Sequence, residues 1–293
     1  MRYAEAVAAA PPGSKRFRAA DLARLGRTTL NLLFEPGPSS PPLEDVAAAV
    51  GGDDEALYGI ASALPAARGE RLLRLGQRRV PPEQRDAAAH RLVRGSFWYL
   101  TYELAPELWD RLAAAEPVAP DLLADLPADG ARVLEVAAGS GRLTAALAGR
   151  AATLIALEPS PPLRRLLRER HPGVCVIAAV GHRLPVGTGW ADLVVSCATF
   201  GPHPPLGGEP VQGELERCAR PGGVVALVSP EEPSWWQARG YEMRSYPPPP
   251  VRHDAELEAF FGPPHPPRRL LLKRAEPGGR SSPLPPDEAR DEP

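Results

Sequence analysis

Two acids and two glycines, Glu135, Gly139, Gly141 and Glu158, stand at a spacing that can hold a charged organic ligand. Glu135, Gly139 and Gly141 lie in VLEVAAGSGRL (133–143), and Glu158 lies in LIALEPS (154–160). Gly139 and Gly141 permit a tight turn and a close backbone approach, both of which a Cβ would obstruct. Glu135 ends an apolar run, where a carboxylate suits an ammonium group and repels a phosphate. Glu158 ends the next apolar run, and its two oxygens can accept both hydroxyls of a ribose.

Such residues work only if strands carry them to one edge. From residue 131 onward, strand and helix alternate. Strands are predicted over 133–137, 153–157, 174–180, 193–196 and 224–228, and helices over 143–150, 163–170 and 211–219, with a Pro221-Gly-Gly223 turn before the fifth strand. Two further strand-like runs, 240–246 and 268–274, flank a short helix over 254–261 and are expected to add an antiparallel edge. The pattern predicts an α/β fold, a doubly wound, mainly parallel sheet of seven strands with right-handed crossovers. In such a sheet the ligand sits beyond the carboxyl ends of the strands, at the switch point beside the first one.

VLEVAAGSGRL resembles the glycine-rich first motif of class I S-adenosylmethionine-dependent methyltransferases, and LIALEPS resembles the second. RLPVGTGWADLVVSCATFG (183–201) and ELERCARPGGVVALV (214–228) resemble the later strand and turn motifs, in family order. The resemblance implies a Rossmann-like methyltransferase fold with S-adenosylmethionine as cofactor. It also implies that Glu135, Ala137, Ala138, Gly139 and Gly141 hold the methionine portion and that Glu158 holds the ribose. Ala137 replaces the first glycine of the usual pattern. Val180 stands where the family often has an acid for the adenine amino group, so backbone groups around Val180 and Gly181 are expected to read that edge. A nicotinamide-binding domain fits less well: its third glycine would fall at Thr144, and its fingerprint has no acid inside the first strand.

The implied activity is in-line methyl transfer to a small-molecule acceptor; a non-catalytic binding or scaffold protein and an RNA or protein methyltransferase are the other readings. No motif fixes a catalytic base. His203, in the proline-stiffened stretch after the fourth strand, is the histidine best placed to take a proton.

The rest of the chain frames this core. Residues 1–95 are expected to form a helical accessory region, with helices over 21–35 and from the Asp53–Asp54 cap through 66, and a break at 36–42. Residues 96–130 form a helical lead-in bearing Phe97, Trp98, Tyr99, Tyr102 and Trp109, either helix core or a lid over the site. The methyltransferase domain is placed at 131–276, with a helical start from about 116. A chain beginning near Gly95 is expected to fold, because the α/β pattern is complete without the earlier part. The Gly-, Pro- and acid-rich 277–293 is expected to be disordered.

Composition narrows the partners. A formal net charge of -2 over 293 residues gives no electrostatic reason for nucleic-acid binding. Three scattered cysteines without a CxxC pair argue against a disulfide framework or a zinc site and suit a reducing compartment. No stretch resembles a signal peptide or a run of the ~20 apolar residues that span a membrane. The expectation is a soluble, cytoplasmic protein without a metal; oligomeric state is not legible.

Overall fold

The computed structural model describes residues 2–37, 40–203 and 207–276. The disorder expected of 277–293 lies outside the described residues. The N-terminal part is helical: α1 (Tyr3–Ala9), α2 (Arg27–Leu33), α3 (Leu43–Val50), α4 (Asp54–Ala63), α5 (Ala66–Gly76), α6 (Pro82–Gly95) and α7 (Phe97–Leu104). The helix expected over 21–35 is divided instead. A 3-10 turn, Ala19–Arg24, ends where Leu25 turns extended, and Gly26 then caps α2. The next helix also stops early. Asp53 caps α4 by accepting from the Ala56 N–H at 3.0 Å, but Leu64 is extended because it precedes Pro65.

After α8 (Pro106–Ala115) and α9 (Pro120–Ala124) the sheet begins. Its strands are β1 (Arg132–Val136), β2 (Thr153–Leu157), β3 (Cys175–Ile177), β4 (Ala191–Cys197), β5 (Ala219–Val228), β6 (Glu242–Ser245) and β7 (Arg269–Arg274). They form one seven-stranded sheet in the order β3-β2-β1-β4-β5-β7-β6. The sheet is mixed: β1 to β5 pair in parallel, whereas β7 runs antiparallel to both β5 and β6. The switch point lies between β1 and β4, and the first strand therefore sits in the middle of the sheet. The Pro221-Gly-Gly223 turn belongs to β5 rather than preceding it. Ala191 pairs with Ala219 and Leu193 with Val224, so the intervening residues bulge within the strand.

Apolar alternation along the strands feeds two layers. Val133, Leu193, Val195 and Ala226 face a core completed by Leu122 of α9 and by Leu143 and Leu147 around α10 (Thr144–Leu147). Leu134, Val136, Val194 and Val225 face the other core with Val211 and Leu215 of α12 (Gly208–Cys218) and Trp236 of α13 (Pro233–Gln237). Between β2 and β3 runs α11 (Pro161–Arg170), whose Leu167 packs on Ala156 and Val176.

The N-terminal helices have a third core of their own, around Leu22, Leu30, Val46, Ile60, Leu72 and Leu92. Leu100 of α7 belongs to it as well, so that core spans both sides of residue 95. The same helices are also fastened to α14 (Ala255–Phe261) near the end of the chain. Phe17 packs edge-to-face on Phe97 and on Phe260, each at 6.2 Å between centroids, Phe97 and Phe260 lie tilted at 5.4 Å, and Arg16 lies over the Phe260 ring. A chain beginning at Gly95 would strip Phe17 from Phe97 and Phe260.

Candidate active site at the carboxyl edge of the sheet

Acids at the two ends of the sheet meet opposite conditions. At the amino ends, Asp192 opens β4 and accepts from the Arg132 N–H at 2.7 Å. That bond and the Arg220 guanidinium pull its carboxyl down to about 2. At the carboxyl ends, Glu135 and Glu158 are 2% and 5% exposed, with no cation bound to either carboxylate by a hydrogen bond among the described residues. Burial pushes Glu135 up to about 8 and Glu158 up to about 7, because removal from water penalises the charged form.

Each acid is fixed by the element that follows it. Thr144, first residue of α10, donates its hydroxyl to Glu135 Oε2 at 2.6 Å. Glu158 accepts from the Ser160 N–H through Oε1 and from the Gly139 N–H through Oε2, both at 2.8 Å. The loop between Val136 and Arg142 is tied further by Ala138, whose N–H donates to the Leu157 carbonyl at 3.0 Å. Gly139, Gly141 and Ala138 thus join the two acids into one unit, in register with the β1–β2 pairing of Glu135 with Ala156. Gly141 has φ +106, and a Cβ there would come within 2.9 Å of Leu167 and 3.0 Å of His171.

Backbone strain marks the same edge. Ala137, Ala198 and Ser229 have φ of 58, 52 and 45 and directly follow the carboxyl ends of β1, β4 and β5. Left-handed backbone costs a residue with a Cβ about 1–2 kcal/mol, and such residues gather at functional sites. The turn survives the replacement of glycine by Ala137, with that strain retained.

Val180 and Gly181 lie on the loop after β3, which is three residues long rather than the seven expected. The Arg183 N–H closes a turn on the Val180 carbonyl at 3.1 Å. Phe200, following β4, fills the space beside Gly181, where a Cβ would stand 2.9 Å from its ring. Val180 is half-buried and offers a wall without an acceptor. His203 is not joined to the acids by any hydrogen bond among the described residues. Its Nε2 stands 3.0 Å from Glu232 Oε1, across the loops that follow β4 and β5. Cys197, at the end of β4, is held as a neutral thiol by burial, which raises it to about 11. Trp236 is wholly buried core, while Trp235 lies under the Arg239 guanidinium at 3.8 Å.

The aromatics ahead of β1 reach the site. Trp109 of α8 has its indole Nε1 3.3 Å from where a Gly139 Cβ would stand, so it lies on the loop. Tyr102 of α7 packs edge-to-face on Trp109 at 4.9 Å, and the Tyr102 carbonyl accepts from Ser160 Oγ at 3.2 Å. These two residues were visible as an aromatic cluster in sequence; their contact with the glycine loop was not. Thr144 follows the first motif and Ser160 closes the second, and neither carried a signal beyond that place.

The residues present fit a nucleoside-linked amino acid. Two desolvated carboxyls, each with lone pairs to spare, suit an ammonium and a diol, and Ser140 Oγ is buried between the two glycines without a partner among the described residues. Residues 133–223 match the model of a methyltransferase domain family. An uncharacterized methyltransferase of Synechocystis is 28% identical over 47% of this chain and 68% of its own length. An uncharacterized methyltransferase of Mycobacterium tuberculosis is 31% identical over 35% of this chain, which spans only 41% of that relative. Among solved structures, an S-adenosylmethionine-dependent methyltransferase from Mesorhizobium loti is similar at TM-score 0.39 and 17% identity, over 53% of this chain and 96% of that one. Among the described residues the chain has no cluster of three metal-ligating side chains and no helix long and apolar enough to cross a membrane.

Proposed function

We propose that this methyltransferase transfers the methyl group of S-adenosylmethionine to a small-molecule acceptor in the cytoplasm. The observation that carries the reading is the union of Glu135 and Glu158 through the glycine loop at the switch point. In it, Glu135 with Ala137, Ala138, Gly139 and Gly141 holds the methionine portion, Glu158 the ribose, and the Val180–Gly181 backbone the adenine edge. When bound, the cofactor supplies an electrophilic methyl on a sulfonium. The chain's own residues orient it and exclude water, with Trp109 and Tyr102 as the roof. Bringing donor and acceptor together in a dry site accelerates an in-line displacement without an obligatory base. His203, paired with Glu232, acts in positioning.

A small acceptor is supported by the balanced charge, formally -2, which offers no electrostatic track for a phosphate backbone. The three free thiols suit a reducing cytoplasm. A second reading, a non-catalytic binding or scaffold protein, draws on Val180 in place of an acid and on the Trp109 indole lying over Gly139. Incubation with methyl-labelled S-adenosylmethionine and fractionated cell extract separates these. Label in the low-mass fraction supports the proposal; label on RNA or protein moves the acceptor, and cofactor binding without any transfer supports the scaffold.

A further inference from the structure

We propose that the Asp110–Arg170 ion pair is a latch that sets how fast the cofactor enters and leaves, by clamping the glycine loop between α8 and α11. Resting on the cofactor reading above, the inference adds two positioning residues that act through the loop. Trp109, Asp110 and Arg111 are consecutive on α8, and successive helical side chains point about 100° apart, so the three reach in different directions. The Trp109 indole lies on the loop at Gly139. The Asp110 carboxylate takes both Nη groups of Arg170, the last residue of α11, one on each oxygen. Arg111 donates to Asp254 Oδ2 at 2.5 Å and to Glu256 Oε2 at 2.7 Å, at the start of α14. His171, next after Arg170, backs the loop at Gly141: its Nε2 is 3.0 Å from where a Gly141 Cβ would stand. Residues 109–110 and 170–171 thus bracket the two glycines, and the ion pair joins the two halves of the bracket.

A ligand as large as a nucleoside-linked amino acid cannot pass a ring seated on the loop that holds it, so α8 must move for exchange. Two other polar links from this region are weak. Ser160 Oγ donates one neutral hydrogen bond to the Tyr102 carbonyl at 3.2 Å, and Arg142 stands 3.9 Å from Glu116, beyond hydrogen-bond reach. A carboxylate held by both prongs of a guanidinium is the strong geometry. Asp110 is 13% exposed and Arg170 46%, so the acid is withdrawn while its partner stays within reach of salt ions. Such a pair is firm at low ionic strength and weakens as salt screens it. Arg111 ties α8 to α14, which the aromatic cluster fastens to the N-terminal helices. On opening, α8 stays with that side and parts from α11 at the Asp110–Arg170 pair.

The test is stopped-flow tryptophan fluorescence of the full chain mixed with S-adenosylhomocysteine, alongside Asp110→Asn and the charge-reversed double variant Asp110→Arg, Arg170→Asp. Because a latch gates both directions, Asp110→Asn is expected to raise association and dissociation rates together by roughly 3- to 10-fold, the range of a partly exposed charged pair. Affinity is expected to change by less than about 3-fold. The double variant is expected to return both rates to within about 2-fold of wild type, as coupling between the two residues requires. Raising KCl from about 0.05 to about 0.5 M is expected to speed exchange in the wild type and to leave Asp110→Asn unchanged. Arg170→Lys, which keeps the charge without the fork, is expected to fall between and stands in if Asp110→Asn does not fold. Unchanged rates in the variants, an affinity loss carried by dissociation alone, or a double variant as fast as Asp110→Asn overturns the latch. Calorimetric binding without any tryptophan signal shows that Trp109 does not move, and overturns it as well. A wild type that binds S-adenosylhomocysteine by neither measurement overturns the cofactor reading itself.

Discussion

The Gly139 N–H donates to Glu158 Oε2 at 2.8 Å, so the loop after β1 is held by the acid that ends β2. In the proposed site Glu158 therefore has two duties, setting the loop and presenting lone pairs to a diol. Replacement by alanine should therefore loosen the loop as well as remove an acceptor, and glutamine should preserve only part of either.

Stability should depend on pH through the two buried acids. Both are raised from the ordinary 4.5, Glu135 to about 8 and Glu158 to about 7. Between about pH 4.5 and 8 the folded chain keeps protons that the unfolded chain releases. The two acids' contribution therefore weakens as pH rises through this window, and the loss is complete above it. The ligand-free wild type is expected to lose on the order of a few kcal/mol relative to the Glu135→Gln, Glu158→Gln double variant. Denaturant titrations from pH 5 to 8.5 measure this; parallel profiles for the two proteins would contradict the raised values.

Ala137→Gly should stabilise the protein. Ala137 holds φ 58, and relief of left-handed strain, about 1–2 kcal/mol, outweighs the added flexibility of the unfolded chain. A net gain of about 0.5–1 kcal/mol is expected in chemical denaturation. Destabilisation would show that the Ala137 methyl makes packing contacts worth more than the strain.

The aromatic clasp between the N-terminal helices and α14 should be needed for a soluble fold. Phe260→Ala is expected to cost about 3–5 kcal/mol, as for a buried aromatic. Gly13→Ala should also destabilise, since its Cβ would stand 2.4 Å from the Phe260 ring. Expression of 95–293 as a well-folded, soluble chain would show that the clasp is dispensable.

The strands were legible where pattern is local: β1, β2 and β4 are built around the apolar residues Val133–Leu134, Leu154–Leu157 and Leu193–Val195, and the acids at the carboxyl ends of β1 and β2 stand in recognisable motifs. Boundaries failed where a backbone event decided them. Leu25 and Pro65 end helices that periodicity alone would extend, and the Pro221–Gly223 bulge is absorbed into β5 by its pairing with β4. The contact of Trp109 with the glycine loop and the clasp were illegible for another reason. Trp109 reaches Gly139, and Phe17 reaches Phe260, through contacts between distant parts of the chain. Residue type marked Trp109 as core or cover but did not name its partner.

His203→Ala should slow single-turnover methyl transfer by roughly 10-fold or less, about 1.4 kcal/mol of barrier. His203 is spent on a pairing with Glu232, whose backbone is itself left-handed at φ 46. A general base contributes about 10²–10⁴-fold. A thousandfold loss, with disappearance of an ionisation from the pH–rate profile, would make His203 the base and point to an acidic hydroxyl or amine acceptor.

Calorimetric titration with S-adenosylmethionine and S-adenosylhomocysteine tests the central claim most directly. The wild type is expected to bind both at submillimolar concentration, and a folded Glu158→Ala variant to bind about 1–3 kcal/mol more weakly, the loss of charged hydrogen bonds to a diol. No heat of binding from either ligand with well-folded wild-type protein, or unchanged affinity in the variant, would contradict the cofactor site proposed at Glu135, Gly139 and Glu158.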